Sequence, residues 1–488
     1  MANYVGIDIG TSSAKLTLIN DAGEIIKESS REYKLLEPLP GWKEIDPEIW
    51  MYAVDSAMEE ILENQDPELV KAIGVTGQMH TVVFVGKDGK SIRPALMWND
   101  TRTNENLISI KRQIQENPKI SHIANIISTG SPAMNLLWLK ENEPENFHNI
   151  KKFLIGPDYI VYRLTGNCQT DYCEASTSSL FDLNEIKWSP EIRKLLDFPE
   201  DIYPEVKGTS EIAGELLPNW REKYHFSDGV QVLVGTGDNP AAAISTGCFA
   251  KKYPVLSFGT SGVLMYPKDK IDFTTKGKNI VFSFDKKEIM ILVQGVVQSC
   301  GSSFAWWMRK VLETSDFNKE TEFDILHLGE GNLFFYPHLV GDKTIYADAD
   351  LRGSFMGIGT DTTRSEMTIA VMEGICYAVK QLTEVMKIPK ETLENLKVIG
   401  GGSQNKVWMQ ILADILNVNV CQTESGAGAG YGMALAAAGT VGNTSMDEVI
   451  EKTVKVKEVF VPRKYNSELY QKKYQKYLKI HDAMKQIG

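Results

Sequence analysis

The sequence predicts an α/β protein of two similar lobes with a ligand cleft between them. Three observations carry that expectation. At 488 residues the chain exceeds the roughly 250 that one hydrophobic core usually supports. Strand and helix patterns alternate along its length, the order that builds α/β layers. Two segments half a chain apart read as copies, Tyr4-Val5-Gly6-Ile7-Asp8-Ile9-Gly10-Thr11-Ser12-Ser13 and Val255-Leu256-Ser257-Phe258-Gly259-Thr260-Ser261-Gly262, with Thr11 and Thr260 249 positions apart.

Taken in order, GIDIG and KLTLI read as strands, Asp21-Ala22-Gly23 as a turn and EIIKES as a third strand. Asp46 is placed to cap a helix with Pro47 at its first position, and Trp50, Val54, Met58, Ile61 and Leu62 recur at helical spacing. Residues 72–76 and 82–85 are short apolar strands. From 104 to 228 the pattern is mostly helical and loop-rich, as an inserted substrate region would be. A strand returns near Val232, Gly235-Thr236-Gly237-Asp238-Asn239-Pro240 breaks it, and an alanine-rich helix follows over 241–245. The repeat puts the boundary near Gly247, dividing the chain into 1–246 and 247–488. The stretch 467–487 reads as a Lys/Tyr-rich amphipathic helix with a solvated charged face.

Composition narrows the class. A net charge of −12 argues against a nucleic-acid or anionic-membrane partner, while leaving room for a nucleotide at a local site. No apolar run approaches the ~20 residues that cross a bilayer. Met1-Ala2-Asn3-Tyr4 runs directly into a strand pattern without a basic or apolar leader. The six cysteines are scattered, without metal spacing, and are expected to be reduced in a cytoplasmic protein.

In each repeat a strand runs into Gly-Thr-Ser and resumes as a strand. Such a hairpin turn lets amides and hydroxyls converge on an anion, and two of them would cradle a nucleotide's phosphates. An ordinary hairpin closes with the same residues, so each motif alone leaves both readings open. Asp8, two residues before Gly10, suits Mg²⁺, which takes one or two carboxylates besides water and phosphate oxygens. The second copy has Ser257 at the matching place. Asp238, between a strand end and a helix start, is placed either to accept a proton from an attacking hydroxyl or to cap the helix. Gln78-Met79-His80 at a strand end offers a polyol-recognition set, or a plain loop. Trp98, beside Asn99 and Asp100, suits a sugar face or the core. Gly400-Gly401-Gly402 after a strand is an adenosine-binding loop or a tight connection.

Together these segments resemble the FGGY carbohydrate kinases of the actin-like ATPase (ribonuclease H-like) superfold, over the whole chain. Gly353-Ser354-Phe355-Met356-Gly357-Ile358, with Glu366-Met367 and Ala370-Val371-Met372-Glu373, fits one family signature. The stretch from Gly130-Ser131-Pro132 to Glu141-Asn142 fits the other, except that Asn135 stands where the pattern has Lys. Gly41-Trp42, Asp46-Pro47-Glu48, Gly77-Gln78-Met79-His80 and Trp98-Asn99-Asp100 also fit, and Gly237-Asp238-Asn239 is similar to the ketopentose type.

The resemblance implies transfer of the γ-phosphoryl group of MgATP to a sugar hydroxyl, most of all the one on carbon 5 of D-xylulose. It implies Asp238 as general base, with Asp8 and Asp238 organising Mg²⁺. Thr11, Ser12 and Ser13 would line the phosphates, with Lys15 a basic nucleotide contact. Gly259 and Thr260 would form the second phosphate turn, and Gly301, Gly401, Gly402 and Asn405 would lie around the nucleotide. Met79, His80, Trp98 and Asn239 would hold the sugar. A homodimer is implied as well, with the last helix packing back toward the N-terminal lobe. Ribulose, gluconate or an alditol are alternative substrates, and a sensor without catalysis is a further alternative. Gluconate would need a cationic clamp, and neither 78–80 nor 238–239 contains Lys or Arg.

Overall fold

The computed structural model describes residues 2–323, 327–423, 428–442 and 445–485. The N-terminal lobe opens with an antiparallel meander, β1 (Asn3–Ile9), β2 (Ser13–Asn20) and β3 (Ile25–Glu32). Against it packs α1 (Pro47–Leu62), capped by Asp46, which accepts from the Glu48 amide at 3.0 Å; Trp50, Val54, Met58 and Ile61 are buried, as their spacing predicts. β4 (Val70–Gly77) returns parallel to β1. The strand Val82–Gly86 leaves this sheet and joins Glu44–Ile45, Ala95–Leu96 and Ile150–Ile155 in a separate four-stranded sheet. Beyond it comes the short helix α2 (Tyr172–Thr177). Then β5 (Ile212–Glu215), β6 (Gln231–Leu233) and β7 (Thr236–Gly237) complete the main sheet, in the order β5-β6-β4-β1-β2-β3 with β7 also on β4.

From α3 (Asp238–Ile244) the chain passes into the second lobe. Its strands are β8 (Val255–Phe258), β9 (Gly262–Lys268), β10 (Lys278–Phe282) and β11 (Met290–Val297). α4 (Arg364–Val385), β12 (Leu396–Ile399), α5 (Lys406–Leu416) and β13 (Val420–Thr423) follow. Then come α6 (Ala429–Val441), β14 (Val456–Phe460) and α7 (Lys464–Tyr477). The sheet order is β10-β11-β9-β8-β12-β13-β14. As β1 does, β8 pairs antiparallel with its hairpin partner on one side and parallel with a later strand on the other. The repeated sequence thus marks a repeated topology.

One correction concerns the chain's end. Instead of one helix over 467–487, α7 is followed by α8 (Ile480–Lys485), and 486–487 lie outside the described residues. The pair packs on the C-terminal lobe, not back toward the N-terminal one. Tyr470, Tyr474 and Tyr477, at positions i, i+4 and i+7, bury their rings there. Tyr470 donates its hydroxyl to Glu373 at 2.9 Å and Tyr474 to Glu384 at 2.6 Å. Lys473, read as part of a solvated face, is buried against Glu373 at 2.6 Å. Aromatic area with polar tips satisfied decides where this helix docks. Glu373→Ala should therefore cost about 3–5 kcal/mol, because it strands the Lys473 charge. Thermal denaturation tests this, and an unchanged midpoint would show the pair to be dispensable.

The helix that does reach the N-terminal lobe is α6. It lies on β1 and β4 backbone to backbone: a Cβ at Gly6 would stand 1.8 Å from the Gly430 carbonyl oxygen, and one at Gly74 2.3 Å from that of Met433. Glycine alone permits that approach. A shared core joins Tyr4, Ile19 and Ala72 to Met433, Ala434 and Leu435 across this seam. Among the described residues no helix is long and apolar enough to cross a membrane.

Candidate active site

Sheet register brings the candidate residues together. At the carboxyl end of β4, Gly77 is flanked by Ile9 of β1 on one side and Gly237 of β7 on the other, all parallel. Asp8 with the first turn, Gln78-Met79-His80, and Asp238-Asn239 therefore emerge side by side, at the end of the sheet where α/β folds bind ligands.

The two carboxylates are electrostatically linked. Burial pushes Asp8 up to about 6, against the pull of Lys15 opposite it on β2. Burial, followed by the negative charge of Asp8, pushes Asp238 up to about 7. Asp8 Oδ1 is buried without a hydrogen-bond partner among the described residues, and Asp238 Oδ1 accepts from the Asn239 amide at 2.8 Å. Gly237 rather than Asp238 takes the cap position of α3. The capping alternative for Asp238 is therefore not what the fold uses.

Both Gly-Thr-Ser segments are hairpin turns. In the first, the Gly10 amide donates to Ser13 O at 2.9 Å, while Tyr33 secures the turn through its hydroxyl on Gly10 O at 2.6 Å and its amide on Ser12 O at 2.9 Å. Ser12 is exposed at the tip, with Thr11 and Ser13 partly so. Lys15 is paired with Glu28 at 2.8 Å. In the second turn, Gly259 donates to Ser261 O at 3.2 Å. Gly301 and Ser302, opening a helix, donate to Gly259 O at 3.0 Å and Thr260 O at 2.9 Å. The parallel pair β8 and β12 delivers Gly401 and Gly402 to the same end; Gly401 faces open space and Gly402 is pressed on Phe258. Asn405 is otherwise occupied. Its Oδ1 caps α5 by accepting from Trp408 N at 2.9 Å, and its Nδ2 donates to Thr321 at 2.7 Å. The residue type and its place before a helix carried that signal.

In the segments expected to hold the sugar, Met79 is buried with its sulfur 3.9 Å from Asn239 Nδ2, and His80 takes a left-handed backbone conformation with φ of 69°. Trp98 is neither core nor enclosed: it is 40% exposed and donates its indole N–H to Thr11 at 3.2 Å, so it is tied to the first turn. Asn135 is buried and donates to Gly130 O at 3.2 Å, so no charge occupies the position where the signature has Lys.

The sequence reading missed two groups. Glu174, on α2, is fully buried beside Gly237, and neither carboxylate oxygen has a hydrogen-bond partner among the described residues; burial, Asp171, Asp158 and Asp238 raise it well above the usual range. Lys278, the first residue of β10, stands 3.1 Å from His80 Nε2. Neither 78–80 nor 238–239 contains Lys or Arg, yet a cation reaches His80 from the opposite lobe. The contact also orients the lobes. Lys278 pairs with Gln294 on β11, near Val297, which pairs with Gly262 beside the second turn. The turn end of one sheet thus meets the carboxyl end of the other.

Comparison with known proteins agrees with this geometry. Residues 3–245 match the N-terminal domain of the FGGY family of carbohydrate kinases and 255–440 its C-terminal domain. The chain is 32% identical to a xylulose kinase of Staphylococcus xylosus, over 99% of this chain and 100% of that one. It is 30% identical to a xylulose kinase of Bacillus subtilis, over 100% and 98%. It superposes on the crystal structure of a "xyloylose kinase" from Brucella ovis with a TM-score of 0.90 at 27% identity, covering all of both chains. The fold and these relatives define a two-lobed phosphotransferase that uses ATP and acts on an alcohol group of a carbohydrate. The chain belongs to the FGGY family of carbohydrate kinases.

Proposed function

We propose that the protein transfers the γ-phosphoryl group of MgATP to the carbon-5 hydroxyl of D-xylulose. The observation that carries the chemistry is the coupled pair at the strand ends, with Asp238 held at about 7 beside the Asp8 charge. A base of that strength accepts a hydroxyl proton as the oxygen attacks phosphorus, and holds it near neutral pH. Similarity over the full chain to proteins named xylulose kinases supports the choice of sugar. Met79, His80 and Asn239 would orient the ketose, with the Thr11-Ser12-Ser13 and Gly259-Thr260 turns on the phosphates and Gly301, Gly401 and Gly402 against the nucleoside.

A divalent cation fits the site. Asp8 Oδ1 is a buried acceptor without a partner among the described residues and has a second carboxylate near it; no cluster of three or more His, Cys, Asp or Glu forms among the described residues, and Mg²⁺ takes only one or two carboxylates. Asp8 and Asp238 would hold it, and when bound it would neutralise phosphate charge. The six free cysteines are consistent with a reducing, cytoplasmic setting. A homodimer rests on the family resemblance, and light scattering at twice the chain mass would support it.

A coupled ADP-release assay over D-xylulose, D-ribulose, gluconate, glycerol and an alditol tests the reading. D-Xylulose should give the highest kcat/KM. Gluconate gains some support from Lys278, but that ammonium is already directed at His80. Preferred turnover of gluconate would overturn the substrate assignment, and ATP hydrolysis indifferent to every sugar would overturn the kinase reading.

A further inference from the structure

The contact between His80 and Lys278 crosses 198 positions of sequence and the gap between the lobes. Its chemistry is directional. A lysine ammonium has three donors and no acceptor, so His80 Nε2 must be the acceptor. A neutral imidazole has one acceptor and one donor, which leaves the proton on Nδ1. Nδ1 is buried and has no hydrogen-bond partner among the described residues. The ring therefore presents one buried, unused N–H in a segment that emerges beside Asp238.

The surroundings keep the two groups in these roles. Burial, Lys278 and Lys343 hold His80 well below its ordinary value, so it stays neutral. Burial, with Lys343 adding to it, lowers Lys278 to about 8. Both lysines come from the second lobe and His80 from the first, so the arrangement depends on the lobes being together.

We propose that Lys278 is a positioning residue of the sugar pocket: by donating to His80 Nε2 from the opposite lobe, it fixes the imidazole as a neutral Nδ1–H donor to a substrate oxygen. His80 then reads an acceptor on the sugar, a carbonyl or hydroxyl oxygen, and the reading is complete only when the second lobe is in place. This rests on the assignment of the cleft as a sugar site.

Two measurements test it. Ring ¹⁵N NMR of the substrate-free protein, assigned with His80→Asn, should show His80 as the Nδ1–H tautomer, and the Nε2–H tautomer would overturn the proposal. In kinetics, Lys278→Met should raise the sugar KM about tenfold or more while the ATP KM stays within about twofold, the pattern of one lost buried hydrogen bond on the sugar side. Lys278→Gln, whose amide can still donate to Nε2, should recover most of that loss. A sugar KM within about twofold of wild type in Lys278→Met, or no difference between the Met and Gln variants, would overturn the proposal. Failure of the kinase reading would show separately, as a wild-type protein that turns over no sugar, and the tautomer is read on the wild-type protein without substrate.

Discussion

Asp238→Asn should lower kcat by a factor of about 10²–10⁴, the contribution of a positioned general base, while ATP affinity survives. The second half of this expectation is a gain in stability. Asp238 is buried and faces the charge of Asp8, the second cause of its rise to about 7. In the unfolded chain the carboxylate would be solvated and repelled by nothing, so at neutral pH folding works against both burial and repulsion. An amide of the same shape carries neither penalty. The variant should therefore melt at a higher temperature than the wild type, the pattern of an active site maintained against stability. A steady-state assay and a thermal melt on one preparation read both. Turnover within tenfold of wild type would remove Asp238 from the role of base. A lower melting temperature would show that Asp238 serves the fold.

Much of this site was legible because its signals are local. Asp8 and Asp238 sit at strand ends bounded by glycines, and the Gly-Thr-Ser turns are marked by the residue types that close hairpins. The 249-residue repeat was legible as topology, since a strand pattern followed by the same turn builds the same first hairpin. What the sequence concealed was set by contacts between distant elements. Nothing near His80 announces Lys278, because the edge strand that supplies it belongs to the other lobe. Glu174 lies in a stretch with no motif, and only its burial beside Gly237 identifies it. The solvated face expected of the terminal helix fails at Lys473, because the tyrosine stripe governs the docking and carries that lysine inward. Conversely, the helix that closes the lobe seam has little pattern to read: α6 is small and apolar on every side, because it is buried on every side.

That seam carries the second large effect. Gly6→Val should destabilise the protein by about 3 kcal/mol or more, the upper range of overpacking, because the obstruction is backbone and not a side chain that can swing aside. A Cβ there meets Gly430 O at 1.8 Å, and the next nearest atoms, Gly430 C and Ala434 N, are also main chain. Either β1 must leave its sheet or α6 must lift. Lifting α6 also relieves the contact between Gly74 and Met433 O, since both strands lie under the same helix. The two sites should therefore couple: Gly6→Ala and Gly74→Ala together should cost less than the sum of the singles, with denaturant midpoints as the readout. Gly331→Ala, where an added methyl meets nothing within 4 Å, is the control for glycine replacement itself. Function should follow the seam. β1 carries Asp8 two residues beyond Gly6, and α6 belongs to the other lobe, so any folded Gly6→Ala protein should lose kcat more than affinity for either substrate. Strict additivity of the two alanines, with kcat intact, would mean that each strand relaxes locally and that the helix does not hold the carboxylates against the second lobe.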